Sequence, residues 1–293
     1  IHLNYIFILM IIWLASYPKS GNTWVRSFIT SLLYNENNEA NLKDLIHIQQ
    51  YPLRSHFTNL VSDIDNLGEL SSNWILSQKI INQDNKIKFF KTHHAFCKFN
   101  NSFFTNGEVS LGTVHIVRDP RNVISSILYH FSKKNYEEAR EFLFDERRVI
   151  GKKFDPKDPN VNKHIFTVLG SWKNHYLSWK EFKKNYLLIK YEDLLSNPQA
   201  EFHKLSEYLS KHLNVKFEND KINHAIKSNS FENLKKLEKE NGFIEAINDK
   251  ETGEKKRFFN LGPENDWKKL LNIKLKEDIE KEFKTEMREL GYI

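Results

Sequence analysis

The chain has 293 residues, 40% hydrophobic, 13% aromatic and 28% charged, a balance that fills a sizeable core and excludes wholesale disorder. Its formal charge of +6 fits either a Lys-rich solvated surface or a site for an anionic ligand, and no segment has the Arg-and-aromatic pattern of a nucleic-acid groove. The single cysteine, Cys97, excludes an internal disulfide framework and fits a reducing compartment, and the 12 His show no metal-ligand spacing, so neither nucleic acid nor metal is expected.

Tyr5–Ala15 is an apolar run. It is too short for a membrane span, which needs about 20 residues, and residues 1–9 lack the basic start of a secretory signal. The run reads as a buried strand, with no stable membrane insertion and a cytoplasmic location expected. Met10 is a candidate start, which makes residues 1–9 an upstream extension. Further strands are predicted at Ile87–Lys91, Thr113–Val117 and Leu187–Tyr191. Each is followed by a polar turn and a helical pattern. Trp24, Phe28, Ile29, Leu32 and Leu33 give Thr23–Tyr34 a helical face, Pro120 sits at a first helical position, and Ser196-Asn197-Pro198 opens another helix. Strands alternating with helices predict an α/β fold, a central parallel sheet covered by helices. With no repeat and no Pro- or Gly-rich linker, one domain over 1–293 is expected. Glu232–Arg257, dense in Lys and Glu, reads equally as a mobile surface lid or as a charged helix plus loop.

Two strand–loop–helix junctions carry chemistry. The first is Tyr17-Pro18-Lys19-Ser20-Gly21-Asn22-Thr23-Trp24. Such a junction presents backbone N–H groups at the positive end of a helix dipole, which is an anion site. Gly21 lets the backbone approach a ligand, and Lys19, Ser20, Asn22 and Thr23 add a charge and donors. The order is not Gly-x-x-x-x-Gly-Lys-Ser/Thr, because Lys19 precedes the only Gly. The second junction runs from Val114–Val117 into Arg118-Asp119-Pro120-Arg121-Asn122 and a helix with Ser125 and Ser126. Arg118 ends a strand, where ligands of open parallel sheets bind, and its fork suits phosphate.

Together these segments resemble the sulfotransferases that use 3′-phosphoadenosine 5′-phosphosulfate. That family's first loop reads Tyr-Pro-Lys-Ser-Gly-Thr-Thr-Trp, from which the chain departs only at Asn22, and its second segment, Arg-x-Pro-x-x-x-x-x-Ser, matches Arg118, Pro120 and Ser126. The resemblance implies that Lys19, Ser20, Gly21, Asn22 and Thr23 hold the 5′-phosphosulfate and that Trp24 stacks on adenine. Arg118 and Ser126 would then hold the 3′-phosphate. Lys91-Thr92-His93 is similar to the family's Lys-Thr-His, which implies His93 as catalytic base with Lys19, joined by Lys91, stabilising charge on the leaving group. Gly170-Ser171-Trp172, with His175 and Trp179, resembles a family helix; Tyr191-Glu192-Asp193 resembles a segment whose Tyr lies near adenine, and Ser230-Phe231 one that contacts the nucleotide. One loop departs. The family's Arg-Lys-Gly-x-x-Gly-Asp-Trp, aligned on Trp267, places Gly262 at the first Gly but Asn260 and Leu261 at Arg and Lys, leaving Arg257, Lys255 or Lys256 to serve the 3′-phosphate. Lys268, Asn272, Ile273 and Glu277 have the spacing of the family's dimer motif with its Thr-Val replaced, which leaves a homodimer open.

The function this implies is in-line transfer of a sulfuryl group to a hydroxyl or amine of a small-molecule, lipid or sugar acceptor, without metal. The acceptor itself is not legible. The alternative is a P-loop-like kinase using Mg-ATP, against which the residue order of the first loop argues. A catalytically dead binding module is the other rival, and the presence of both Lys19 and His93 argues against it.

Overall fold

The computed structural model describes residues 10–151, 153, 165–249 and 253–293. The reading of residues 1–9 as an extension lies outside them, as do residues 250–252 of the Lys/Glu-dense segment. The chain divides into two compact units interleaved in sequence. The first comprises Ile1–Tyr17, Ile48–His115 and Glu146–Leu188; the second comprises Pro18–His47, Ile116–Asp145 and Ile189–Ile293.

The first unit is built on the sheet, whose strands run in the order Lys88–Thr92, Ile11–Ser16, Ser110–Val117, Tyr186–Lys190. Ile11–Ser16 is buried at every position, as a strand inside a covered parallel sheet must be, and pairs in parallel from Ile11 opposite Lys88 to Ala15 opposite Thr92. Trp13 anchors the core of this unit. Its ring centroid lies 5.4 Å from those of Tyr51 and Phe104 and 6.4 Å from that of Trp179. Its indole N–H donates to Ser110 Oγ at 2.7 Å, so the polar tip of a buried ring is satisfied. The third strand begins at Ser110 rather than Thr113, and its first residue is a buried polar one that serves Trp13, while Gly112 interrupts the apolar run. Two short antiparallel ribbons, Lys98–Phe99 with Ser102–Phe103 and Val149–Ile150 with Thr167–Val168, complete the strands among the described residues. Helix Trp172–Lys180 starts where Ser171 accepts a bond from the Asn174 N–H.

The second unit is mostly helical. Helix Asn22–Tyr34 starts one residue before the predicted position, and helices Pro120–His130 and Pro198–Leu213 start at the predicted prolines, capped by Asp119 and Asn197. The fourth strand stops at Lys190, one residue short of the prediction, because Tyr191 opens helix Tyr191–Ser196. The Lys/Glu-dense segment forms helix Phe231–Asn241, capped by Ser230, and beyond it Asn248 bridges Lys255. Buried Glu238 on that helix accepts the N–H groups of Phe258 and Phe259 at 2.6 and 2.9 Å, fastening the following segment. Phe243 and Phe259 join Leu45 and Leu234 in a local core against which Trp24 and Phe231 pack.

Candidate functional site

The anion-binding candidates gather in the second unit. Gly21 is the N-cap of helix Asn22–Tyr34 in the left-handed region, φ 98°, with no side-chain cap and no acidic residue in the first turn. Neither a capping side chain nor a first-turn carboxylate therefore offsets the positive end of this dipole. Ser20 is fully buried, and its Oγ has no hydrogen-bond partner among the described residues. A buried hydroxyl in that condition costs about 1–3 kcal/mol unless a ligand satisfies it, so the loop fits an anionic oxygen. Gly21 is required twice over, since a Cβ there would stand 2.6 Å from Tyr191 Cδ2 as well as in a backbone conformation L residues rarely adopt.

Lys19 is a non-glycine residue with φ 69°, a conformation that costs about 1–3 kcal/mol and persists where surroundings enforce it. Its carbonyl accepts a bond from Arg118 Nη1 at 3.0 Å, and its ammonium lies 3.9 Å from the Phe258 ring centroid. Arg118 is buried and stacks its guanidinium 4.1 Å from the Tyr191 ring centroid. Trp24 stands edge-on to Tyr191 with centroids 6.0 Å apart and donates its indole N–H to the Asn229 carbonyl at 2.7 Å. The loop Lys, the strand-end Arg and two aromatic rings are thus one contiguous cluster, as the two sequence junctions implied. Asn22 and Thr23 are buried at the helix start.

Ser126 Oγ lies 3.4 Å from Arg118 Nη1 and accepts a closer bond, 2.9 Å, from Asn265 Nδ2. Asn265 also donates to the Asn122 carbonyl at 2.8 Å, while Asn122 Oδ1 accepts the Trp267 N–H at 2.9 Å. The late loop is therefore tied to helix Pro120–His130 by a reciprocal pair of asparagines. Gly262, φ 53°, lies flat on Phe231, where a Cβ would meet ring atoms at 2.2–2.5 Å. Of the three basic residues considered for the departed loop, Lys256 is engaged by Asp249 at 2.7 Å and by Tyr129 O and Ser132 Oγ. Lys255 and Arg257 are exposed. The neighbouring Arg121 is committed to structure. Asp119 and Glu280 pair with it at 2.6 and 2.5 Å, and it stacks on Trp267.

The proton-transfer candidates sit in the first unit. Lys91 is buried at 8% exposure, its backbone held between Gln49 and Tyr51. His93 Nδ1 lies 2.7 Å from the Ser16 carbonyl oxygen and 3.3 Å from Ser16 Oγ. A carbonyl only accepts, so Nδ1 carries the proton, and in the neutral ring Nε2 has the lone pair. Adjacent His94 is a different residue physically. It is fully buried, stacked on Phe104 at 4.0 Å between centroids, and burial pushes its pKa down to about 3. Burial also lowers His115 to about 3, and His175 well below its ordinary value, with His115, His93 and His94 nearby adding to the effect. His175 bonds the His93 backbone, so a buried neutral ring braces the candidate base.

Sequence reasoning missed Asn265, Phe258 and Ser16. Asn265 had a signal, because it stands at the second Gly of the loop pattern. Phe258 and Ser16 had none, since their roles arise from distant partners. Among the described residues no group of three or more His, Cys, Asp or Glu is placed to hold a metal ion, and no helix is long and apolar enough to cross a membrane.

A family profile described as "Sulfotransferase domain" matches residues 11–291. Sulfotransferase 1B1 of Canis lupus familiaris is 28% identical over 285 residues, covering 94% of this chain and 82% of that protein. Cytosolic sulfotransferase 13 of Arabidopsis thaliana is also 28% identical, covering 94% and 76%. In structure the chain is similar to mouse sulfotransferase SULT7A1 complexed with PAP, with a TM-score of 0.56 at 20% identity, covering 95% of this chain and 85% of that one. It is likewise similar to retinol dehydratase in complex with androsterone and inactive cofactor PAP, with a TM-score of 0.58 at 16% identity, covering 97% and 82%.

Proposed function

The chain belongs to the sulfotransferase-domain family, and from that membership together with the geometry above we propose that it moves a sulfuryl group from 3′-phosphoadenosine 5′-phosphosulfate to a hydroxyl or amine of a small-molecule, lipid or sugar acceptor. When bound, the donor supplies the activated sulfuryl group. The observation that carries the reading is the uncapped helix start with buried, unpartnered Ser20 Oγ beside Lys19. In this reading Lys19, Ser20, Gly21, Asn22 and Thr23 hold the 5′ end, with Lys19 countering charge as the nucleotide departs. Arg118 and Ser126 hold the 3′-phosphate, and Arg257 adds charge to it. Trp24 and Tyr191, with Phe231 laid on Gly262, pack against the adenine. His93 Nε2 takes the acceptor proton, a contribution of about 10²–10⁴-fold, and Lys91 supports the charge balance near it. The sulfuryl group is singly charged, and the chain's own cations and N–H groups match it. The kinase reading is not favoured, because the loop lacks the Gly-Lys-Ser/Thr order and the family match is to sulfotransferases.

Two further elements stay with this proposal: a cytosolic location, in line with relatives named as cytosolic, and a homodimer through the start of helix Ile273–Glu282, where Ile273 is 75% exposed. The test is thermal shift with adenosine 3′,5′-bisphosphate against Mg-ATP. At a hundred times its dissociation constant the bisphosphate should stabilise by about 2.7 kcal/mol, and no shift refutes the donor assignment. His93→Ala should cut turnover with labelled donor by about 10²–10⁴ while costing only about 0.5–1.5 kcal/mol of stability for the lost bond to the Ser16 carbonyl; near-full turnover refutes the base assignment.

A further inference from the structure

The second unit contains a cavity of about 520 Å³ whose wall the donor reading enters only through Arg257. Its wall includes Lys235, Lys239, Lys255 and Arg257, with Phe243 and Ala246 as an apolar floor. None of Lys19, Ser20, Arg118, Ser126 or Tyr191 is part of that wall. Two further lysines line it but are differently placed: Lys236 is 3.9 Å from Glu240, and Lys256 is paired with Asp249 at 2.7 Å. The one carboxylate in the wall, Glu238, is committed to the N–H groups of Phe258 and Phe259. Lys235, Lys239, Lys255 and Arg257 therefore face one concavity with no carboxylate paired to them among the described residues.

Lys235 and Lys239 are one helical turn apart on helix Phe231–Asn241, a like-charge spacing that costs a few tenths of a kcal/mol, and Lys255 and Arg257 add two more cations from later in the chain. An anion entering the cavity would meet these exposed cations from two segments of the chain. The volume is that of a site for a drug-sized molecule, about 300–1,000 Å³, so it takes a molecule bearing several anionic groups rather than one phosphate.

We propose that this cavity binds the charged part of the acceptor, and that the acceptor is a polyanion carrying carboxylate, sulfate or phosphate groups at several positions. Calling that ligand the acceptor rests on the sulfotransferase reading; the anion site itself does not. The test is calorimetry on the full chain saturated with adenosine 3′,5′-bisphosphate, titrated with sodium tripolyphosphate. One site per chain is expected, weakened at least tenfold in Lys235→Gln/Lys239→Gln and weakened further by raising the salt concentration. The same variant should bind the bisphosphate within about twofold of the parent. Absence of tripolyphosphate binding, or binding that the variant leaves unchanged, overturns the site. So does a parallel loss of bisphosphate affinity, which gives the cavity to the donor. In the activity arm, a sulfated oligosaccharide should be a better acceptor than its desulfated counterpart, and the variant should raise its KM about tenfold with kcat within twofold. Equal use of the two sugars overturns the acceptor assignment. If the bisphosphate itself fails to bind while tripolyphosphate does, the donor reading falls and the anion site stands.

Discussion

Gly21→Ala puts the geometry of the phosphate loop under direct strain. The new Cβ would stand 2.6 Å from Tyr191 Cδ2 on a backbone with φ 98°. The left-handed conformation alone costs an L residue about 1–2 kcal/mol, and forcing a methyl into a packed ring adds about 1–3 kcal/mol. The expected loss is thus about 2–5 kcal/mol, readable as a fall in the urea midpoint with an unchanged slope. A double-mutant cycle separates the two causes. In a Tyr191→Ala background the steric part vanishes while the conformational part remains, so a coupling of about 1–3 kcal/mol is expected. Tyr191 also stacks on Arg118, and Arg118 holds the Lys19 carbonyl, so bisphosphate affinity should fall with stability. The reasoning is refuted if Gly21→Ala costs less than about 0.5 kcal/mol, or if its cost is the same with and without the Tyr191 ring.

The buried histidines predict acid sensitivity. His94 and His115 have folded pKa values near 3 against an ordinary 6.5, so the unfolded chain binds protons that the native chain refuses, and stability falls as pH drops below 6.5. Each should cost about 2 kcal/mol by pH 5, and His115→Gln should lower proton uptake on unfolding at pH 5 by about one; a pH-independent melting temperature between 7 and 5 counts against both burials. Asn265→Ala removes two bonds, to Asn122 and Ser126, and should cost about 1–3 kcal/mol in chemical denaturation, whereas an unaltered midpoint would show the loop to be held by other contacts.

How much of this was legible in the sequence depended on whether the information was local. The four sheet strands were visible because buried parallel strands are nearly continuous apolar runs, and their neighbouring helices because Pro120 and Asn197-Pro198 mark starts chemically. Errors fell at ends. Ser110 extended a strand through a bond to Trp13, 97 residues away, and no local pattern carries that. The loop residues Lys19 to Trp24 and Arg118 were likewise visible, since a strand–loop–helix junction with Lys and Gly is written in one stretch. The choice of His93 over His94 rested on the Lys-Thr-His resemblance alone, not on any local pattern. Both follow the same strand, and only the Phe104 stack over His94 and the Ser16 carbonyl under His93 separate them. The cluster of cations in the Lys-dense segment was visible as composition, but its convergence on one concavity required Glu238 to fold Phe258 and Phe259 back onto the helix.

The reciprocal bond between Asn122 and Asn265 has an evolutionary consequence. Asn265 serves the Asn122 carbonyl and the Asn122 side chain serves the Trp267 N–H, so changing either leaves a backbone group of the other stretch without that bond. The two positions should be inherited as a unit. Relatives that keep Asn at both should share the Asn-Leu form of the late loop, and relatives with Gly at the second should keep Arg-Lys. A pair of letters far apart in an alignment would then sort the family into two lineages with differently built nucleotide pockets.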